Sequence, residues 1–294
     1  MDKDFTGRIA IVTGAGAGLG RSHALALGRD GARVVVNDRD AAQAAAVAAE
    51  ICAMGGDAVA AVADVAAPDQ IAAMVARVMG RWGRIDVLVN NAGLLRDKSF
   101  AKMDMADFDQ VVAVHLGGSA ACCHAVWPIM RAQSYGRILL TTSTSGLFGN
   151  FGQANYGAAK AGMVGLMNVL HIEGQKHDIR VNCLAPTAAT AMTDGLVSAE
   201  DAALLAPEAV SPAVLFLTGR DAPSRVIMGA GAGAFSVIHI LETAGVYLAP
   251  NDRTAAGIAR QFAAIAAMPG AASLPSAFDQ TAKFVALARA AQNA

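Results

Sequence analysis

A tyrosine and a lysine one helical turn apart are the residues of this sequence best suited to acid–base chemistry. Residues 156–160 read Tyr-Gly-Ala-Ala-Lys, and side chains four positions apart lie on the same face of a helix. A phenol ionises with an unperturbed pKa of about 10, and a nearby cation lowers that pKa by stabilising the phenolate. The spacing therefore predicts that Lys160 tunes Tyr156 as a proton donor and acceptor.

A glycine-rich turn near the amino terminus is suited to binding a dinucleotide. Residues 13–20 read Thr-Gly-Ala-Gly-Ala-Gly-Leu-Gly, between a predicted strand that ends at Val12 and a predicted helix over residues 21–29. Glycines let the backbone approach a pyrophosphate closely, and the free N–H groups at a helix start attract its negative charge. The spacing matches Thr-Gly-x-x-x-Gly-x-Gly and not the Gly-x-Gly-x-x-Gly fingerprint.

An acidic residue follows this turn at the end of the second predicted strand. Asp38 lies eighteen residues after Gly20, where a carboxylate can accept hydrogen bonds from an adenosine ribose. The same carboxylate repels a 2′-phosphate, so the sequence predicts NAD in preference to NADP. Arg39 is a contrary signal.

Together with Asn90-Asn91-Ala92-Gly93, these motifs resemble the short-chain dehydrogenase/reductase family. The resemblance implies that Ser143, thirteen residues before Tyr156, hydrogen-bonds the reacting oxygen, whereas Ser145 lies at the wrong spacing. It also favours NAD, because NADP-dependent relatives often carry Arg or Lys where this chain has Ala17. The cofactor contacts that it implies are Gly14, Gly16, Gly18, Leu19, Gly20, Asp38, Asp64, Val65, Asn91, Ala92, Gly93, Tyr156, Lys160, Pro186 and Thr190.

One position departs from the family pattern. Where most members place an Asn that supports a water relay to the catalytic lysine, this chain has His115. A histidine can pass protons near neutral pH, and a buried histidine bonded to backbone fits the sequence equally well. His115 is therefore a candidate catalytic residue with both roles open. The other histidines show no metal-ligand spacing, so the sequence predicts no metal site.

Short β-branched runs alternate with Ala-rich stretches of helical period, which is typical of βαβ units. Runs such as Val34-Val35-Val36 are apolar on both faces, as in a parallel sheet that helices cover on both sides. The sequence predicts an α/β fold, a single Rossmann-like doubly wound parallel seven-stranded sheet flanked by helices. The predicted strands cover residues 8–13, 33–38, 58–63, 85–90, 136–142, 179–184 and 225–229.

The regular alternation loosens after Pro186. We predict a dinucleotide-binding and catalytic domain over residues 1–240, and a helical extension over residues 241–294 that packs on the core or on a second subunit. Residues 229–233, Gly-Ala-Gly-Ala-Gly, are predicted to form a close-packed turn. In the extension, Asp279 and Lys283 mark an exposed i,i+4 pair. A stripe at helical spacing predicts a further helix there, with Ile258, Phe262, Ile265 and Met268.

Composition and charge exclude several classes of function. The 294 residues carry a net charge of −1 and are 54% hydrophobic and 16% charged. This balance fits a globular protein and argues against nucleic-acid or membrane-surface partners. The charged start lacks the apolar core of a secretory signal, and the four cysteines lack metal or disulfide spacing, so we expect a cytoplasmic protein.

One long stretch without charge needs a separate explanation. Residues 110–130 contain no Asp, Glu, Lys or Arg and are long enough to cross a bilayer. Polar residues and Pro128 interrupt this stretch. A helix buried between packed elements, which could include a subunit contact, is therefore favoured over a membrane span. The family's helix-to-helix interfaces imply a homodimer or a homotetramer.

Two further segments, residues 95–100 and residues 148–156, resemble one branch of the family. That branch is the (3R)-hydroxyacyl-CoA dehydrogenase module of multifunctional enzyme type 2, also called 17β-hydroxysteroid dehydrogenase type 4. The resemblance implies an NAD-dependent oxidoreductase that interconverts a secondary alcohol and a ketone on a large apolar substrate, a (3R)-3-hydroxyacyl-CoA or a hydroxysteroid. Two alternatives stay open: a reductase of small ketones or sugars, and a non-catalytic dinucleotide-sensing protein.

Overall fold

The computed structural model describes residues 4–190 and 198–292. These residues form one sheet with the strand order β3-β2-β1-β4-β5-β6-β7-β8. The pairings between neighbouring strands from β3 to β7 are all parallel. The strands are β1 Ile9–Thr13, β2 Arg33–Asp38, β3 Asp57–Val62, β4 Val87–Asn90, β5 Gly136–Thr141, β6 Ile179–Thr187, β7 Ile227–Gly231 and β8 Ala234–Ile238.

The order of the strands reverses at β1, which lies inside the sheet. Ile11 of β1 pairs with Val35 of β2 on one side and with Leu88 of β4 on the other. All five residues of β1 are buried, because helices cover both faces of a parallel sheet. In open α/β sheets, ligands bind beyond the carboxyl ends of the strands at such a reversal. The carboxyl ends of β1 and β4 are therefore where the fold predicts a ligand site.

Helices connect the strands and begin where the local sequence allows. Asp40 accepts hydrogen bonds from the backbone N–H groups of Ala42 and Gln43 at the start of the second helix, as an N-cap residue does. Gly83, with φ of 72°, ends the third. The helices are α1 Gly18–Arg29, α2 Ala41–Ala53, α3 Pro68–Trp82, α4 Met105–Val112, α5 Gly118–Gln133, α6 Thr144–Phe148, α7 Ala154–Gly174, α8 Ala199–Leu204, α9 Ser211–Thr218, α10 Ala255–Ile265 and α11 Ala277–Gln292.

The predicted Rossmann-like α/β sheet is confirmed, and its described part has eight strands where seven were predicted. The difference arises at residues 229–233, which were predicted to be a turn. Gly229–Gly231 belong to β7, and only Ala232 and Gly233 turn, with φ of 49° and 75°. A two-residue turn with two positive φ angles joins antiparallel strands. β8 therefore runs back along β7 as an exposed edge strand, without the buried face by which strands are recognised in sequence.

The stretch that lacks charged residues forms continuous helical structure. The helical segment Met105–Gln133 is long and apolar enough to cross a membrane by length and composition alone. It comprises α4, a π-helical turn over Ala113–Gly117 and α5. α5 packs against α3, β4 and β5, and α4 packs against α7. These contacts are those of a helix layer that covers a sheet.

The chain divides into two compact units, Met1–Val237 and Ile238–Ala294. In the second unit, Lys283 forms an ion pair with Glu242 at 3.3 Å and hydrogen-bonds the Thr243 carbonyl. Asp279 accepts a hydrogen bond from the Ser276 hydroxyl. The predicted Asp279–Lys283 pair is therefore wrong, because each side chain finds a partner outside α11. The functional roles that we predict for the two segments stay predictions.

Candidate active site

Ser143, Tyr156 and Lys160 come together where β5 ends. Ser143 is the N-cap of α6, directly after β5, and the other two residues lie on the first turns of α7. The ammonium nitrogen of Lys160 lies 5.5 Å from the centroid of the Tyr156 ring. A side-chain hydrogen bond from Ser143 acts on the Tyr156 phenol and lowers its pKa. The arrangement brings a hydroxyl, a phenol and an amine together.

The pKa of Tyr156 moves in the direction opposite to the prediction. Burial of the phenol raises its pKa, the hydrogen bond from Ser143 lowers it in part, and the negative charge of Asp97 raises it further. Lys160 does not reverse this balance, because burial lowers the pKa of the lysine itself to about 7. The protein alone therefore favours the neutral phenol, the form that donates a proton.

Both the ammonium group and the backbone carbonyl of Lys160 make hydrogen bonds to residues at the end of β5. Its ammonium donates a hydrogen bond of 2.5 Å to the Thr141 carbonyl, and its own carbonyl accepts one of 2.7 Å from the Thr142 hydroxyl. The side chain is almost completely buried. A lysine with a pKa of about 7 changes charge close to neutrality. It can therefore take part in proton chemistry at physiological pH.

The predicted glycine turn leaves no room for side chains. Gly14 and Gly18 have φ of 60° and 53°, a region that L-residues avoid. A Cβ on Gly14 would lie 2.7 Å from the Cα of Ala92, and one on Gly20 would lie 2.1 Å from the Gly14 carbonyl oxygen. α1 begins at Gly18, so its free N–H groups face the turn. Leu19 is half-buried against the core.

Asn91 and Ala92 fix the turn from the end of β4. The Asn91 amide donates to the carbonyls of Thr13 and Gly14 at 3.0 and 3.1 Å. The backbone N–H groups of Asn91 and Ala92 donate to the Thr13 hydroxyl at 3.0 and 3.1 Å. Thr13 was not among the predicted site residues, although it begins the Thr-Gly-x-x-x-Gly-x-Gly pattern. Its hydroxyl is what joins the two strand ends.

Asp38 lies where the prediction requires it. Its carboxylate accepts hydrogen bonds of 3.0 Å from the N–H groups of Gly16 and Asp40. A Cβ on Gly16 would lie 2.8 Å from the same carboxylate, so only glycine allows this approach. The residues present thus fit a dinucleotide: a turn that any side chain would fill, a helix start for the pyrophosphate and a carboxylate for the ribose.

The remaining predicted contacts flank this turn on neighbouring strand ends. After β3, Asp64 accepts a hydrogen bond from the Ala66 N–H group, and Val65 packs closely against Gly118. Pro186 lies in β6. Thr190 lies beside Gly18, since a Cβ there would be 3.5 Å from the Thr190 methyl group. Thr190 is the last described residue before 198.

His115 lies in the π-helical turn, beside the ring of Tyr156. The two rings are perpendicular, with centroids 5.1 Å apart. The His115 Nε2 atom is 2.8 Å from the Leu94 carbonyl oxygen and 3.1 Å from the Leu94 nitrogen. Burial, and then the charge of Lys160, lower its pKa to about 3. A Cβ on Gly93 would meet the ring at 2.2 Å, so this glycine makes room for the histidine.

The sequence analysis assigned no role to Asn155, which is completely buried beside Tyr156. Its side-chain oxygen accepts from the Tyr156 N–H group at 2.7 Å, and its amide donates to the Arg96 carbonyl at 3.0 Å. One residue type at one position gives no spacing signal. Only the resemblance of residues 148–156 to one branch of the family included it.

A doubly wound sheet with a glycine turn at its switch point and a Ser–Tyr–Lys cluster on a neighbouring strand end defines a class, the dinucleotide-dependent oxidoreductases. Residues 8–201 match the family model described as short chain dehydrogenase. The chain therefore belongs to the short-chain dehydrogenase/reductase family, whose members are oxidoreductases that act on CH–OH groups with a nicotinamide dinucleotide.

Comparison with known proteins confirms the predicted branch. Mouse peroxisomal multifunctional enzyme type 2 is 47% identical over 222 residues, which are 72% of this chain and 30% of the mouse protein. The structure of the full-length Drosophila melanogaster enzyme of the same name superposes with a TM-score of 0.82 and 35% identity, over 96% of this chain and 49% of that one. This chain thus spans less than half the length of each of these two multifunctional enzymes.

A third similarity is to a protein with bound ligands. The structure of a 7α-hydroxysteroid dehydrogenase complexed with NADH and 7-oxo glycochenodeoxycholic acid has a TM-score of 0.74 and 30% identity. The match covers 79% of this chain and 96% of that one. That enzyme is therefore a structural relative almost throughout its length.

Proposed function

We propose that this protein uses NAD to interconvert a secondary alcohol and a ketone on a large apolar substrate, a (3R)-3-hydroxyacyl-CoA or a hydroxysteroid. The observation that carries the proposal is the buried Ser143–Tyr156–Lys160 cluster in a chain that is 47% identical to multifunctional enzyme type 2. The structural relative that holds a steroid supports the same substrate class.

Each of the three side chains has a distinct task in the proposed reaction. Ser143 binds and orients the substrate oxygen, and Tyr156 takes the hydroxyl proton in oxidation or returns it in reduction. Lys160 holds the cofactor ribose and places its charge beside Tyr156. NAD, when bound, supplies the hydride acceptor. Because the protein alone raises the pKa of Tyr156, the phenol is poised to donate its proton to a developing alkoxide.

We propose NAD because the Asp38 carboxylate lies against the glycine turn at Gly16. A 2′-phosphate at that position would be repelled, while two ribose hydroxyls could donate to the carboxylate. A fluorescence titration should therefore give a dissociation constant at least about tenfold lower for NADH than for NADPH. Asp38→Asn should reduce that ratio, and the exposed neighbour variant Asp40→Asn should retain it. Tighter binding of NADPH to the wild type would contradict the proposal.

An absorbance assay for NADH over three groups of compounds tests the substrate class. We expect turnover with 3-hydroxyacyl-CoA or hydroxysteroid compounds, and little with compact alcohols. Turnover with small ketones or sugars alone would favour the alternative reductase. Binding of NADH without turnover on any member of the panel would favour a dinucleotide-sensing protein, the second alternative.

We further propose a homodimer or homotetramer, because enzymes of this architecture associate through helix faces. Light scattering should give at least twice the chain mass, and a monomeric mass would refute this. We also propose a cytoplasmic location, which cell fractionation would check.

A further inference from the structure

Residues 94–98, which we call the strap, follow β4 and lie beside the catalytic tyrosine. The strap is fixed to its surroundings at every second residue or closer. Four contacts hold it. The His115 ring hydrogen-bonds the Leu94 backbone, the Asn155 amide donates to the Arg96 carbonyl, the Gln153 amide donates to the Asp97 carboxylate, and the Lys98 N–H group donates to the Gly152 carbonyl. Three of these partners lie within four residues of Tyr156 in sequence.

Two of the partners contact the strap and Tyr156 at the same time. Asn155 accepts from the Tyr156 N–H group while it donates to Arg96. The His115 ring lies perpendicular to the Tyr156 ring, with centroids 5.1 Å apart, while its Nε2 atom is 2.8 Å from the Leu94 carbonyl oxygen. The backbone of Tyr156 is thus tied to the strap through Asn155, and its side chain through His115.

The contacts of His115 do not suit a proton relay. A proton that passes through imidazole enters at one ring nitrogen and leaves from the other. The Nε2 atom faces only the carbonyl and N–H of Leu94. Neither peptide group takes up or releases a proton near neutral pH. A path through this ring therefore ends at the Leu94 peptide.

We propose that His115 and Asn155 are positioning residues that couple the strap to Tyr156, so that the wall of the substrate site and the catalytic phenol are held as one unit. The ring of His115 sets the orientation of the phenol, and its Nε2 atom sets the position of the strap. The inference rests on the proposed function only in assuming that Tyr156 transfers the proton and that the strap borders the substrate.

The two contacts of His115 can be separated by two substitutions. His115→Phe keeps an aromatic ring but loses the Nε2 hydrogen bond, so KM should rise about fivefold or more while kcat stays within about threefold. His115→Gln can still donate to Leu94 but has no ring, so kcat should fall about tenfold with little change in KM. If both variants lose kcat about equally with KM unchanged, His115 acts as a relay and the proposal is wrong.

A variant outside the ring contact provides the second test, in case His115→Phe does not fold. Gln153→Glu places a carboxylate against Asp97, 2.6 Å from the present amide nitrogen. Residue 153 is partly exposed, so the substitution should be tolerated by the fold. Loss of the hydrogen bond to Asp97 should loosen the strap and raise KM without a change in kcat. Its matched control is Lys176→Glu, on the surface turn that follows α7, which should alter neither constant. An effect of Gln153→Glu on kcat alone would overturn the coupling.

Hydrogen exchange measures the strap without any substrate. In the full chain, peptides that cover residues 94–98 should exchange faster in His115→Phe and Gln153→Glu than in the wild type, and at the wild-type rate in His115→Gln. Unchanged exchange in both of the first two variants would contradict the proposal. A wild type that turns over no substrate would refute the proposed function alone, since the exchange result does not depend on turnover.

Discussion

We call the two ends of the sheet, where its parallel strands begin and where they end, the amino edge and the carboxyl edge. These two ends bury charged groups in opposite ways. At the amino edge, Arg137 is almost completely buried, and its guanidinium donates to the carbonyls of Gly136, Asp178, Gly219 and Arg220 and to the Asp178 carboxylate. A guanidinium carries five N–H donors in a fixed geometry. Here all three of its nitrogens are in use, so this buried charge is a structural tie.

The carboxyl edge buries a charge with far less compensation. Lys160 is equally buried, and the one hydrogen bond of its ammonium in the described part of the chain goes to the Thr141 carbonyl. Burial lowers its pKa to about 7, whereas an Arg remains protonated wherever it lies. The comparison teaches that burial alone does not mark a functional site. A buried group that titrates near neutrality, beside a turn that only glycine can form, does.

The comparison predicts that substitutions at the carboxyl edge change rate. Ser143→Ala should lower kcat about 10²-fold, because one hydrogen-bond donor to the reacting oxygen is lost. Ser145→Ala is the matched control two residues away and should keep kcat within about twofold. Steady-state NADH formation measures both. Equal losses in the two variants would contradict a specific role of the Ser143 hydroxyl at the reacting oxygen.

Substitutions at the amino edge should instead change stability. Arg137→Met leaves several buried carbonyls without their donor, while the Asp178 carboxylate keeps its ion pair with Arg180. The free energy of unfolding should therefore fall by about 3 kcal/mol. Arg33→Met removes an ion pair to Asp57 in which both side chains are nearly half exposed, and should cost less than about 1 kcal/mol. Urea denaturation provides the values. A large fall in kcat for Arg137→Met under conditions where the variant is folded would contradict the distinction between an amino edge that sets stability and a carboxyl edge that sets rate.

Two buried histidines allow a smaller effect to be resolved by pH. Burial lowers the pKa of both His23 and His115 to about 3, while the unfolded chain has the ordinary value near 6.5. Between these values the unfolded state binds more protons, so stability falls as the pH is lowered from about 6.5 towards 3. Each histidine contributes about 1.4 kcal/mol per pH unit.

His23→Gln should remove one such contribution and leave activity unchanged, since His23 contacts Ser211 and not the site. Urea denaturation at pH 6 and pH 4.5 gives the slope. His124→Gln is the control, because that side chain is exposed, and it should keep the wild-type slope. A His23→Gln slope as steep as the wild type would show that His23 already takes up its proton in the folded state.

Local signals predicted most of the fold and the catalytic cluster. β-branched runs located the buried strands, and helical spacing placed Tyr156 and Lys160 on one face, because these periodicities are local properties. The prediction for Ser143 came instead from the resemblance to the family. Strand β8 was not predicted, because it is an exposed edge strand that depends on the turn at Ala232 and Gly233. The pKa shift of Tyr156 and the ion-pair partner of Lys283 were not predicted, for a different reason.

The direction of the Tyr156 pKa and the partner of Lys283 depend on tertiary contacts that spacing does not contain. Burial raises the pKa of the Tyr156 phenol, the hydrogen bond from Ser143 lowers it in part, and Asp97, a residue of another segment, raises it further. Lys283 pairs with Glu242, forty-one positions away. In both cases a long-range neighbour outweighs the neighbour one helical turn away.

The most direct test of the central claim is the rate of NAD reduction by the wild type and by Tyr156→Phe with a (3R)-3-hydroxyacyl-CoA, each paired with an NADH titration. The wild type should turn over, and the variant should lose at least about 10²-fold to 10⁴-fold in kcat while its NADH dissociation constant stays within about twofold. Turnover by Tyr156→Phe at close to the wild-type rate would contradict the assignment of proton transfer to this phenol.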